Sequence, residues 1–592
     1  MKPDSDPNSK PKPKPRKLKG RFLHLTDMHP DPFYRTDGSE SSACHRKKPK
    51  KEKARGGDYG LPFGECDSPM VLTNHTLDFL EKHWAKEVDF VVWTGDSARH
   101  DNDRQHPRTP DEIYMLNRDM VSRMEEIFTS RGVPVVPCIG NNDVWPHNIM
   151  TAGPNSITNE YSSIWRSFIP FESFQVFQRG GYFSVEVIPD HVAAVSLNTM
   201  YFYDSNKAVG GCEYGDRDDP GNLQFDWLEV QLDRYRDRGL QVWLTGHVPP
   251  SPGNYFPGCF VRYAEIALRF QDTILGHLFG HMNTDHFFFL NVDDMILPDE
   301  EEESDASTPE ALKKKKKKKK KDTLAEILMK DFSELPSAKK TDLDEYAVIN
   351  VSPSVVPNPY LPSFRVFSYN VTGAPVPRKD AKKDLHLAPV KESKRKHGHR
   401  HPDKNKNIDC NKKEYRDTWA CRPEKPYHAS EDAPSRRNQL WTPLGYAQYW
   451  MPNVGEANGT VRPRFRLEYL TYALPSLHPP SSGAGEEEPE PEPGLDADHD
   501  GKPNSRPEPE SINSGKTKKG KTKGFAYPVP LKELPRSLRA PNATRTKSKY
   551  ALYRMGDLTV GSWVKIGRRV GDKKRKKLRE RFARVMYMGG EE

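Results

Sequence analysis

The chain has 592 residues, more than one hydrophobic core usually organises, which implies several domains or one large domain carrying long insertions. Hydrophobic residues make up only 34%, charged residues 30%, and the mean hydropathy is -0.86, which excludes a chain packed throughout its length. The formal charge of +9 sets 92 Lys+Arg against 83 Asp+Glu and sits in short runs, so it identifies no single partner.

Residues 1–20 are rich in Pro and Lys, lack the apolar stretch of a signal peptide, and are expected to form a disordered basic N-terminal segment. Residues 21–298 alternate apolar runs with amphipathic stretches, the pattern of a layered α/β catalytic core. Strands are predicted at 22–25, 88–93, 133–139, 182–187, 192–197, 242–244 and 287–291, and helices at 70–84, 113–128, 225–236 and 261–275. Residues 299–342 contain an acidic block and an unbroken lysine run, Lys313 to Lys321; like charges repel, so a disordered insertion is expected. Residues 343–376 read as a β segment completing the core, and 377–407 as a disordered basic insertion. Residues 408–474, with Tyr415, Trp419, Tyr427, Trp441, Tyr446, Tyr449 and Trp450, read as a folded accessory region. A Pro/Glu/Gly/Lys linker follows at 475–524, and a basic C-terminal module at 525–592.

The seven cysteines form no closely spaced zinc set. Cys44, Cys66, Cys212, Cys259, Cys410 and Cys421 lie in polar, loop-like sequence and suit disulfides in an oxidising compartment, whereas Cys138, in an apolar run, reads as a buried thiol. Sequons at Asn74, Asn350, Asn370, Asn458 and Asn542 point the same way. No apolar run approaches the roughly 20 residues that span a bilayer. A lumenal protein needs an entry signal, so either an N-terminal membrane-anchor helix is missing from this sequence or the oxidising-compartment reading is wrong.

Five strand-end clusters appear in order: Asp27-Met28-His29, Gly95-Asp96, Gly140-Asn141-Asn142-Asp143, Gly246-His247 and Gly280-His281-Met282-Asn283. Any one of them is ordinarily a turn. Together they place carboxylate, amide and imidazole groups where loops leave strands, a ligand set for hard or borderline divalent ions. A shared carboxylate lets two such ions activate water and bind phosphoryl oxygens.

Across 22–290 these clusters resemble the calcineurin-like metallophosphoesterases, whose pattern runs DxH, GDxx, GNH[DE], a later His, then GHxH. The resemblance implies an α/β fold of four layers, two mixed β-sheets sandwiched by helices, with the disordered insertions added. It also implies two divalent cations (Mn, Mg, Co, Zn or Fe). Asp27 and His29 would hold the first, Asp96 would bridge, and Asn141, His247 and His281 would hold the second. Asn283 replaces the second His of GHxH and would ligate through its carbonyl oxygen. Asn142 replaces the family's leaving-group histidine; an amide is no general acid, so substrate binding is the role expected of it.

The missing acid has two candidates. His100 and Asp101 follow Gly95-Asp96 in an arrangement similar to the acid-sphingomyelinase-like branch, with Asp101 expected to pair with His100. His147, in Trp145-Pro146-His147-Asn148, is the second; either serves as proton donor or as a hydrogen-bonding partner of the substrate. The strings DMHPDPFY, GNNDVWPHN, GHVPP, GHMNTDHF and PSVVPNPY are similar to those of the fungal endopolyphosphatases. That resemblance implies endo-cleavage of inorganic polyphosphate by a two-metal-activated hydroxide at the lumenal face of the vacuolar membrane. Arg99, Arg104, Arg108 and Arg262 are the basic residues expected near such a substrate, and Arg99 is assigned to bind it. The lysine run reads as a solvated insertion before it reads as a polyphosphate site. A sphingomyelinase-like phosphodiesterase is the alternative, and specific nucleic-acid binding is not expected. Metal identity and oligomeric state are not legible in the sequence.

Overall fold

The computed structural model describes residues 17–47, 54–295, 322–374, 421, 430–478, 527–540 and 547–590. The expected N-terminal segment (apart from 17–20), the acidic block and lysine run, the basic insertion at 377–407, most of the 475–524 linker, Cys410 and Asn542 lie outside the described residues.

Two mixed sheets face each other. The first has seven strands in the order β15-β14-β13-β12-β1-β4-β5, where β1 is Arg21–Leu25, β4 Phe90–Trp93, β5 Val135–Pro137, β12 Ser363–Tyr369, β13 Pro443–Trp450, β14 Arg466–Tyr472 and β15 Ala551–Met555. The second has six, β10-β11-β9-β8-β7-β6, with β6 Phe183–Ile188, β7 Val192–Ser196, β8 Gln241–Thr245, β9 Ile274–Phe279, β10 His286–Asn291 and β11 Tyr346–Val351. A two-residue parallel pair, β2 (Pro30–Asp31) and β3 (Ser68–Pro69), forms a third, small sheet. In the first sheet β1, β4 and β5 run parallel, and in the second β7, β8, β9 and β11 do, so several strands end on one side of the sandwich.

Apolar burial between the sheets holds this arrangement. Phe22 on β1 stacks between Phe90 (4.6 Å) and Phe367 (5.0 Å) and meets Trp243 of the opposite sheet edge-on at 4.9 Å. Offset and edge-to-face geometry adds to the hydrophobic gain from residues that are fully buried.

Helices α1 (Met70–His83), α2 (Pro110–Ile127), α3 (Ser156–Ile164), α4 (Phe174–Gly180), α5 (Pro220–Asp237) and α6 (Pro257–Arg269) supply the flanking layers. Their starts follow from capping chemistry: Thr109 and Asp219 accept the N–H of Glu112 and Asn222, with Pro110 and Pro220 just inside the helix, and Asn155 with Thr158 closes a capping box.

Several expectations need correction. The helix predicted over 261–275 stops at Arg269, and residues 274–279 form β9, a central strand. Its continuous apolar run, Ile-Leu-Gly-His-Leu-Phe, has no period that separates buried strand from buried helix. The insertion expected over 299–342 contains a capped helix, Leu324–Glu334, that packs on the C-terminal helices. The described parts of the accessory region and of the C-terminal module are not separate units, since β13, β14 and β15 extend the first sheet beyond β12, while Tyr415, Trp419 and Tyr427 lie outside the described residues. Among the described residues no helix is long and apolar enough to cross a membrane.

Candidate active site

Five loops leaving β1, β4, β5, β8 and β9 converge. Asp27, His29, Asp96, His281 and Asn283 all have positive φ, between 39° and 69°, a conformation that costs non-glycine residues energy and that the surrounding fold must impose. Close approach explains two glycines. A Cβ on Gly140 would lie 2.0 Å from Asp96 Oδ1, and one on Gly280 would lie 1.9 Å from Thr26 Oγ1.

The tautomers are set from behind. His29 Nδ1–H donates to the Ala98 carbonyl (2.8 Å) and His247 Nδ1–H to the Thr94 carbonyl (2.7 Å), so each Nε2 lone pair faces inward. His29 Nε2 lies 3.6 Å from Asp27 Oδ1 and 3.4 Å from Asp96 Oδ2, while His247 Nε2 is 3.3 Å from Asp96 Oδ2. Asn141 turns its Nδ2 toward Asn148 Oδ1 (3.0 Å) and His147 Nε2 (3.2 Å), which leaves its Oδ1 aimed at His247 Nε2 (2.8 Å) and His281 Nδ1 (2.9 Å).

The carboxylate oxygens, Asn141 Oδ1 and the Nε2 atoms of His29 and His247 are inward acceptors, and Asp27 Oδ1 and His29 Nε2 are buried without a hydrogen-bond partner. Converging buried acceptors need a positive charge. With protons alone the cluster attracts them: burial would depress the imidazoles, yet Asp27 and Asp96 outweigh it and raise His29 and His247 to about 9. Burial and the neighbouring His247 push His281 down to about 4. Divalent cations would supply that charge to neutral rings, so the residues present fit a metal centre.

Asp143 organises the loops beneath. Its carboxylate accepts the N–H groups of Asp96 (2.8 Å), Ser97 (2.8 Å) and Gly140 (2.9 Å) and the Asn117 amide (3.1 Å). The motif string contained it, but only the fold reveals that one carboxylate holds two ligand loops. Asn142, expected to bind substrate, is 1% exposed and donates its backbone N–H and its Nδ2 to the two oxygens of Asp96 at 2.8 Å each. It therefore positions Asp96.

Asp101 is not the partner of His100. The residue that pairs with His100 is Asp67, which sequence reasoning missed: Nδ1–H donates to Asp67 Oδ1 (2.7 Å) and the backbone N–H to Oδ2 (2.6 Å), while Asp101 is exposed. No local spacing signals this contact between residues 33 positions apart, although the adjacent Cys66 marks a constrained loop. The His100 ring stacks on His29 with centroids 3.9 Å apart, and its Nε2 has no hydrogen-bond partner among the described residues. His147 stands on the exposed rim with Nε2 accepting from Asn141, and so supports a candidate ligand. Asn283 donates to the Asn358 carbonyl (2.8 Å) and keeps a buried Oδ1 without a hydrogen-bond partner.

Arg99 is corrected. It is 1% exposed, bonds Glu112 through Nε at 2.5 Å and lies over Phe33, so it is structural. Arg262 is buried against Asn222 and Asp226, away from the cluster. Arg108 is nearer: Nη1 donates to the Arg99 and Asn142 carbonyls, while Nε and Nη2 are buried without partners. Arg104 is exposed. A second histidine cluster, His45 between Asp31 (2.9 Å) and Asp103 (2.8 Å), has both ring nitrogens on carboxylates, and Arg46 also pairs with Asp103; it ties two site loops together.

Disulfides join Cys44 to Cys66 and Cys212 to Cys259, Cys421 is also disulfide-bonded, and Cys138 is a buried thiol raised by burial to about 11. Asn350 is 5% exposed within β11, which excludes it as a glycan site; Asn74 and Asn458 are exposed and Asn370 half-buried.

The calcineurin-like phosphoesterase family model matches residues 20–284, and the fold and site define a phosphoesterase of that class, with a candidate centre for two divalent cations. A protein named endopolyphosphatase from Cryptococcus neoformans is 40% identical, over 98% of this chain and 92% of its own length. Similarly named proteins from Schizosaccharomyces pombe and Saccharomyces cerevisiae are 37% and 41% identical, over 62% and 46% of this chain and 63% and 42% of their own. The chain belongs to the endopolyphosphatase family.

Proposed function

We propose that this chain hydrolyses internal phosphoanhydride bonds of inorganic polyphosphate. The observation that carries this reading is the inward convergence of Asp27, His29, Asp96, Asn141, His247 and His281 in a chain of this family. Asp27, His29 and Asp96 would hold one ion and Asp96, Asn141, His247 and His281 the other. When bound, such ions lower the pKa of water and offset charge on phosphoryl oxygens.

The chain's own residues do the rest. Asn142 fixes the orientation of Asp96, and Asp143 holds the loops of Asp96 and Asn141 in register. His100, with Nδ1–H held by Asp67, would as the imidazolium give its Nε2 proton to the leaving oxygen and become neutral. A polyphosphate leaving group is already a good anion, so modest proton assistance suffices, and an amide at position 142 is tolerable. The sphingomyelinase-like alternative is not favoured, because relatives covering the chain carry the endopolyphosphatase name.

The disulfides support an oxidising compartment, and we place the protein at the lumenal face of the vacuole, with Asn74, Asn370 and Asn458 as glycan acceptors. The test is gel analysis of long polyphosphate incubated with the protein and Mn²⁺ or Mg²⁺. Chains of intermediate length are expected. Orthophosphate with only near-full-length chains, or no cleavage that a chelator abolishes, overturns the reading; metal analysis of the purified protein identifies the ions.

A further inference from the structure

The chain's positive charge is concentrated far from the candidate metal centre in sequence. Residues 547–584 hold fourteen Lys and Arg against three Asp and Glu, a net of +11, whereas the entire chain carries +9. The fold gathers part of this charge on one surface. Arg569, on the helix Val560–Gly571, donates to the Tyr553 carbonyl at 2.9 Å, and Arg581, on the helix Lys576–Met586, donates to the Lys549 carbonyl at 2.6 Å. Both guanidinium groups are thereby fixed onto β15 and the residues leading into it, beside Arg554, which is exposed and has a φ of 56°. Arg575 and Arg584 are exposed nearby, and the described carboxylate that pairs there is Asp572, 3.4 Å from Arg575.

The arginines of this cluster also act on one another. Burial lowers the pKa of Arg569 and Arg581, and neighbouring arginines lower it further: Arg575 and Arg554 act on the first, Arg554 and Arg584 on the second. Crowded cations that outnumber the acids among them are the footprint of a polyanion site. The helix carrying Arg581 and Arg584 ends against the loop that follows His281. The carbonyl of Met586, two residues beyond Arg584, accepts the N–H of Asp285, four residues after His281, at 3.2 Å. The helix from Lys576 is about 16 Å long, the length of a few phosphates of an extended polyphosphate.

We propose that Arg554, Arg569, Arg575, Arg581 and Arg584 form a second binding surface that holds a distal stretch of the inorganic polyphosphate chain being cut. This rests on the polyphosphate reading above. Because each phosphate repeats the same charge, a rigid arginine array holds the polymer in any register, and arginine's fork matches phosphate oxygens.

The experiment compares the full-length protein with Arg554→Glu/Arg584→Glu and with Arg554→Ser/Arg584→Ser, which keeps a folded comparator if charge reversal perturbs folding; thermal melting checks each. The variants are expected to raise KM for polyphosphate of hundreds of units about tenfold, leave kcat and the kinetics on chains of a few phosphates unchanged, and lower the slope of log KM against log salt by about 1 to 2. Equal KM changes on long and short chains, or none on long chains, overturn the proposal. So does loss of binding to phosphatidylserine vesicles or RNA with long-polyphosphate binding intact. Binding of polyphosphate is also measured directly under chelation. A wild-type protein that binds long chains but never cuts them sinks the proposed activity alone, and loss of that binding in the variants still supports the surface.

Discussion

The carboxylate of Asp67 accepts both the Nδ1 proton and the backbone N–H of His100, at 2.7 and 2.6 Å. This bond fixes the tautomer and the orientation of a ring that lies flat against His29. Asp67 follows Cys66, whose disulfide to Cys44 anchors the loop, so a covalent constraint, a carboxylate and an imidazole act in series.

Asp67→Asn and His100→Ala are each expected to lower kcat on polyphosphate about 10- to 100-fold with metal content unchanged. If they work as a unit, the double variant loses little more than either single one. A double-mutant cycle with independent, multiplying losses would break the link.

Asp96 is drawn to His29 and His247 alike and is gripped by Asn142. Asp96→Ala should abolish turnover and sharply reduce the bound divalent metal measured by plasma mass spectrometry. Full activity, or unchanged metal, would remove the shared role assigned to this carboxylate.

Asp285 joins the loop after His281 to the C-terminal strands. Arg365, fully buried, pairs with it, and Gln448 (2.9 Å) and Tyr469 (2.7 Å) complete the network. Arg365→Leu strands a buried carboxylate, and the expected cost is about 3–5 kcal/mol, read from the denaturant midpoint. A change below about 1 kcal/mol would mean the network carries little stability.

Acid sensitivity follows from Asp67. Burial alone would raise its pKa, but the charge of His100 and the hydrogen bonds it makes win and hold it at about 2, below the ordinary 3.8. A lowered folded-state pKa contributes stability that is complete above about 3.8 and is lost as pH falls through about 2, roughly 2 kcal/mol in all. Urea midpoints of wild type and Asp67→Asn should therefore converge as pH drops from 5 to 2. A constant gap across that range would contradict the assignment.

What the sequence determined by itself is local. Asp27, His29, Asp96, Asn141, His247 and His281 stand out because hard ligands follow apolar strands at turns, and strand-loop chemistry is written within a few residues. Strands β1, β4, β7 and β8 are legible for the same reason, and Cys138 reads as buried from its apolar neighbours. Tertiary structure decided whatever depends on distant partners. It made β9 a strand by burying it in a parallel sheet, and joined β13, β14 and β15 to the core by edge pairing. Asn350 was turned inward and Arg99 locked onto Glu112, while Asp67, not Asp101, reached His100. A side chain's type limits what it can bond, but which partner arrives depends on how strands far apart in the chain pack, because backbone direction and burial are settled by the whole sandwich and not by neighbours in sequence.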